Sequence, residues 1–126
     1  MKNSDGFEMG VLTISLFSSA GSMNSTFALK LAEAAIDKGH TVNLWLAGNA
    51  AGLAARNQKE YKRYMHYESK IVKLIEKGLS VAVCEMCARC RGLKEGDLIE
   101  NTKFVLMDWF LERAASSDRV LNIGGE

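Results

Sequence analysis

Leu79-Ser80-Val81-Ala82-Val83-Cys84-Glu85-Met86-Cys87-Ala88-Arg89-Cys90-Arg91-Gly92 changes character halfway along. Leu79 to Val83 is short, apolar and β-branched, the composition of a buried strand. From Cys84 onward the residues suit a helical turn, and Gly92 punctuates its end. A strand that hands over directly to a helical turn is the repeating unit of an α/β protein. Backbone N–H groups at such a handover point toward an anion, and a thiolate is one. All three cysteines of the chain, Cys84, Cys87 and Cys90, lie in this segment, with Cys84 at the junction.

The same alternation extends in both directions. Gly10 to Phe17 reads as a strand, broken by Ser18-Ser19-Ala20-Gly21-Ser22. From Asn24 to Lys38, Phe27, Leu31, Ala34 and Ala35 recur on one helical face, with Asn24 or Ser25 as N-cap and Lys38-Gly39 as the end. Thr41 to Leu46 is a second strand, and Gly48 to Gln58 a small-residue, flexible loop at its carboxyl end. Lys59 to Tyr64 has no clean period and is open to two readings, a helical lead-in or a mobile flap. Tyr67 to Lys77 is a helix using Ile71, Leu74 and Ile75, stopped by Gly78. Beyond Gly92, Lys94 to Asp97 is a polar bend, and Thr102 to Leu106 is either a short strand or the start of a helix. Met107, Phe110, Leu111 and Ala114 form a helical face, and Asp118 to Ile123 a last strand. Strands alternating with helices predict a parallel sheet covered on both faces, with right-handed crossovers. The expected architecture is three-layer α/β/α. Residues 1–9 are expected to be a disordered lead-in and residues 10–126 a single domain.

Composition excludes several functions. A net charge of +1 leaves no basic field for nucleic acid. No apolar run approaches the roughly 18 residues of a membrane span, and the polar start lacks a signal-peptide core. A cytoplasmic location is therefore expected. There cysteines stay reduced, so three clustered thiols point to thiol or metal chemistry rather than to a disulfide framework.

A thiol at the start of a helical turn, with Arg89 and Arg91 one to two turns on, is expected to have a lowered pKa, with Glu85 and burial acting against it. An exposed thiolate there suits attack on a sulfane sulfur, storage as a persulfide and hand-over to another thiol. Three other readings compete. Cys-x-x-Cys-x-x-Cys resembles the start of a ferredoxin motif but lacks the fourth cysteine and the proline, and His40 and His66 complete no zinc pattern. Cys84 and Cys87 also have dithiol-switch spacing. Buried cysteines can be simply structural, above all Cys90.

The strand ending in Cys84, the following Arg91-Gly92, and Ser117-Asp118-Arg119-Val120-Leu121 on a closing strand resemble the DsrE/DsrF/DsrH (TusD-like) sulfur-relay family. In element order the resemblance runs from Val11 to Ile123. It implies a parallel sheet of about five strands and assembly into a homo-oligomer, a trimer or hexamer. It also implies a sulfurtransferase-like carrier without a cofactor, which accepts sulfane sulfur as a persulfide on Cys84. The sulfur passes between donor and acceptor proteins, with no direct contact to nucleic acid or membrane. Arg91 and local N–H groups are expected to support the thiolate, with Cys87 as a second thiol. The better-known carriers have small or apolar residues where this chain has Cys87 and Cys90. These extra thiols are open to three duties: resolving a persulfide to a disulfide, relaying sulfur, or binding a metal. An oligomeric thiol module that binds metal or switches with redox state is the alternative.

Among the other residues, Ser18 to Ser22 lacks the Gly-Lys-Ser/Thr ending of a phosphate loop and reads as a plain strand–helix turn. Trp45 and Trp109 read as core or subunit contacts. Tyr61, Tyr64, Met65 and Tyr67 read either as a docking surface or as helix packing.

Overall fold

In a computed structural model, residues 1, 2, 6 and 8–125 are described. The elements are β1 (Val11–Leu16), α1 (Met23–Asp37), β2 (Thr41–Leu46), a 3-10 segment (Gly48–Ala54) and α2 (Tyr67–Glu76). They continue with β3 (Ser80–Cys84), α3 (Glu85–Cys90), a 3-10 turn (Glu95–Asp97), β4 (Lys103–Val105), α4 (Met107–Ser116) and β5 (Arg119–Ile123). All strand pairs are parallel, and the order across the sheet is β4-β3-β2-β1-β5. The chain steps outward from β1 to β4, then crosses back to lay β5 against β1. Right-handed crossovers therefore put α1 and α2 on one face and α4 on the other.

The two faces differ chemically because side chains alternate along each strand. Ile14, Leu16, Val42, Leu44, Leu46, Val81 and Val83 point to the α1/α2 face and form the main core with Ala28, Leu29, Ile71 and Leu74. The α4 face is partly polar. Thr13, Ser15 and Asn43 are buried there. Their polar groups are satisfied laterally: Asn43 Nδ2 donates to Thr13 Oγ1 at 3.1 Å, Thr13 Oγ1 meets Ser117 Oγ at 2.5 Å, and Ser15 Oγ donates to Asn122 Oδ1 at 2.5 Å. Trp45 supplies the apolar part, stacked on Phe110 of α4 with ring centroids 4.9 Å apart.

Several expectations need correction. The N-cap of α1 is Ser22, whose hydroxyl accepts from Asn24 N at 3.0 Å, not Asn24 or Ser25. Ser25 lies inside the helix and donates to the carbonyls of Ser18 and Ser19, both at 2.8 Å. Gly48 to Gln58 is not a flexible loop throughout. Its first part is a 3-10 segment whose Ala50, Ala51, Leu53 and Ala54 are buried in the core, because small side chains allow the backbone to pack closely. The helical face expected on α4 is split. Phe110 packs on Trp45, while Met107 and Leu111 are 58% and 54% exposed. Thr102 to Leu106 resolves as the short edge strand β4.

The lead-in expected over residues 1–9 falls partly outside the described residues, at 3–5 and 7. Of its described part, Lys2 bridges Glu8 antiparallel and Met9 N donates to Met1 O at 2.8 Å. No helix among the described residues is long and apolar enough to cross a membrane.

Candidate functional site: a thiol pair at the end of β3

The carboxyl edge of the sheet is not uniformly open. At the switch between β1 and β5, Ser18 Oγ donates to Gly125 O at 3.2 Å and Asn24 Nδ2 donates to Ser18 Oγ at 3.2 Å. A Cβ on Gly124 would strike Ser18 Oγ. The Ser18 to Ser22 segment is thus tied down by its own hydrogen bonds. The cysteines lie instead at and just beyond the end of β3.

Strand pairing and helix capping together place Cys84. The run Ser80–Val83 pairs with Asn43–Leu46 of β2, and Cys84 itself pairs with Val105 of β4. Cys84 then keeps an extended backbone while Glu85 begins α3, so it is the helix N-cap. Its sulfur accepts from Cys87 N at 3.4 Å and from Cys87 Sγ at 2.7 Å. Arg91 is the C-cap of α3. Gly92 follows at φ +83, a left-handed position that glycine takes without a Cβ clash. Gly92 N donates to Arg89 O and Leu93 N to Ala88 O, both at 3.0 Å, the paired bonds of a Schellman ending. The same ending closes α1 at Gly39 and α2 at Gly78, the solution a chain without proline uses three times. The Arg91-Gly92 pair is thus a helix terminus whose arginine has a second task.

That task is to tie α3 down. Arg91 Nη1 donates to Cys87 O at 3.0 Å, and Nη2 to Asn49 Oδ1 at 2.7 Å. Arg91 therefore positions the helix that carries Cys87. Arg89 makes an i,i+4 ion pair with Glu85 at 2.7 Å and lies over the Phe104 ring at 4.9 Å. The hydrogen bonds of Arg91 thus run to Cys87 O and Asn49, and the ion pair of Arg89 to Glu85. We predict that Arg91→Ala lowers stability by about 1 kcal/mol, measured by urea unfolding, since the bonds it removes are exposed.

The electrostatic expectation for Cys84 reverses. Burial, above all, pushes its thiol pKa up, and the Cys87 side chain adds to this. The backbone N–H groups of Cys87 and Met86 pull the other way without winning. Fewer thiolates form at neutral pH, but a thiolate of higher pKa is intrinsically more nucleophilic. The sign is testable. Because the neutral form is favoured, alkylation of Cys84, followed by peptide mass spectrometry against pH, should rise at a higher pH than for an ordinary cysteine, near about 8.5. A rise below that value would contradict the burial argument.

Cys87 is half-buried and packs against the core, and Cys90 is exposed at the last residue of α3. Among the described residues, no three His, Cys, Asp or Glu side chains converge as a metal site. His66 caps α2, with Nδ1 accepting from Ser69 N at 3.3 Å and Nε2 facing Gln58 O at 2.8 Å. His40 Nδ1 accepts from Gly10 N at 3.0 Å, at the opposite edge of the sheet. Tyr67 is buried, its hydroxyl accepting from Gly21 N at 2.9 Å, whereas Tyr61 and Tyr64 are exposed. Beside Cys84, an open groove of about 410 Å³ includes Glu85, Val105, Asp108, Trp109 and Glu112 in its lining. Sequence reasoning did not find Asn49. Its partner lies 42 residues away, and only the fold brings the two together.

The fold and site define a small α/β protein with a thiol pair at the carboxyl edge of a five-stranded parallel sheet. A family model described as the DsrE/DsrF-like family matches residues 9–123, and the chain belongs to that family. It is 35% identical over 94 residues to an uncharacterized protein of Methanocaldococcus jannaschii, covering 75% of this chain and 82% of that one. A second uncharacterized protein, from Methanopyrus kandleri, is 30% identical over 96 residues, covering 75% and 77%. Among solved structures, the ychN protein from E. coli shares the fold, with a TM-score of 0.82 at 21% identity over 91% of this chain and 99% of that one.

Proposed function

We propose that the protein is a sulfur carrier, accepting sulfane sulfur as a persulfide on Cys84 and relaying it to a partner protein. Family membership makes sulfur relay the natural class of activity. The observation that carries the finer reading is the position of Cys84, which ends a buried strand, caps α3 and receives two donors on its sulfur. Of the two, the Cys87 backbone N–H favours the anion that attacks a sulfane sulfur and the one released on hand-over, while burial opposes it. Arg91 and Asn49 hold the helix, so the sulfur keeps its place during both steps.

The step itself is a thiol exchange. The Cys84 thiolate attacks the sulfane sulfur of a donor persulfide, and the donor leaves as a thiolate. The hand-over is the same reaction in reverse direction, with the acceptor thiolate attacking the outer sulfur and Cys84 leaving. No net oxidation occurs. Exposed Leu106, Met107 and Leu111 beside the groove are apolar surface for a protein contact, either with a donor or acceptor or with further copies of this chain in a trimer or hexamer. The test is intact-mass spectrometry after incubation with inorganic polysulfide and desalting. The reading predicts a labile sulfur adduct that a small acceptor thiol removes. A chain that never gains such an adduct would refute it.

A further inference from the structure

Cys87 is not needed to carry a persulfide, yet the fold fixes it against the carrier. Cys84 stands just outside α3 and Cys87 one turn inside it, so their side chains meet on one face. Their sulfurs are 2.7 Å apart, within an ångström of the roughly 2.05 Å of a disulfide bond. Cys87 is held there from two sides. Its side chain packs on the core, and its carbonyl is gripped by Arg91, which is tied in turn to Asn49. Cys90, by contrast, is exposed at the end of the same helix.

We propose that Cys87 is a resolving thiol, which converts the Cys84 persulfide into free sulfide and a Cys84–Cys87 disulfide. The proposal rests on the persulfide reading above and names the product of that site when no protein acceptor is engaged. Cys87 Sγ attacks the inner sulfur, Cys84 Sγ, and loses its proton to solvent. The Sγ–Sγ bond forms, the bond from Cys84 Sγ to the outer sulfur breaks, and the electron pair leaves with hydrosulfide. The outer sulfur is reduced to sulfide and the two thiols are oxidised, so the step needs no outside oxidant. A dithiol reductant then restores both thiols. Two features direct attack to the inner sulfur. It is the atom already beside Cys87, and hydrosulfide is a weaker base than a cysteine thiolate, hence the better leaving group. Proximity supplies the rate, since a neighbouring thiol acts at a far higher effective concentration than one in solution.

The experiment loads the whole chain with inorganic polysulfide, removes the excess, and follows trapped sulfide and intact mass together. The parent is expected to release sulfide and to end as a chain lighter than its reduced form by the hydrogens lost to a disulfide, which maps to Cys84 and Cys87. Cys87→Ser should still load on Cys84, keep its adduct, and release sulfide from it at least about tenfold more slowly. Cys90→Ser should behave as the parent. Cys87→Ala, with circular dichroism on both variants, separates chemistry from misfolding. Equal release by parent and Cys87 variants, or a disulfide that maps to Cys90, overturns the resolving role and leaves the carrier reading standing. Failure of Cys84 to load in any variant overturns both.

Discussion

Replacing Cys84 with serine is expected to abolish uptake of labile sulfur while leaving the fold intact. The hydroxyl is close in size to the thiol and can still accept from Cys87 N, so the α3 cap survives. A serine hydroxyl, however, stays protonated near neutral pH and forms no stable perthiol. Loss should therefore be complete rather than partial, unlike an electrostatic perturbation of the site. The check is parallel polysulfide loading of parent and variant, with circular dichroism confirming equal secondary structure. If Cys84→Ser gains as much labile sulfur as the parent, the sulfur is carried elsewhere, and Cys90, the exposed cysteine, becomes the carrier to examine.

The second large effect is structural. Leu44 lies on β2, the central strand, in register with Ile14 on one side and Val81 on the other, and it is fully buried on the α1/α2 face. Leu44→Ala removes apolar contact and leaves a cavity that neighbouring strands cannot close without breaking register. The expected loss is about 2–5 kcal/mol, a large share of the roughly 5–15 kcal/mol that holds a domain together. Thermal unfolding should fall by about 10 °C or more. Leu111→Ala is the control. With its side chain 54% exposed on α4, it should change stability by less than about 0.5 kcal/mol in the isolated chain.

The contrast between those two leucines shows what was legible in the sequence. Strand positions such as Thr41–Leu46 and Ser80–Cys84 could be read because alternation and β-branching are local properties. The Cys84–Cys87 pairing was also local, an i,i+3 spacing at a helix start. Leu111 shares a helical face with Phe110 by sequence, yet it is exposed, because helical period reports a face and not what covers it. Gly48–Ala54 looked flexible because small residues favour loops and close packing alike, and only the neighbouring elements decide between them. The Cys84 pKa expectation failed for a related reason. Nearby arginines were visible in sequence, but Arg89 is committed to Glu85 and Arg91 to Asn49, and burial then dominates. Long-range pairing is the information that local pattern lacks.

That commitment of Arg91 also changes what the Arg91-Gly92 pair means. Arginine as helix cap and tether, with glycine as terminator, is a device for holding α3 rigid at the end of β3. A rigid mount suits the proposed relay, in which the thiol would meet a donor, an acceptor and Cys87 in turn.

The central claim is that Cys84 bears the transferable sulfur, and peptide-level mass spectrometry tests it most directly. The parent chain is loaded with inorganic polysulfide, its persulfides are trapped by alkylation, and the adducts are mapped to individual cysteines. The added sulfur should lie on Cys84, and a small acceptor thiol given before trapping should remove it. Sulfur found on Cys90 alone, or an adduct on Cys84 that no thiol can remove, would contradict the account.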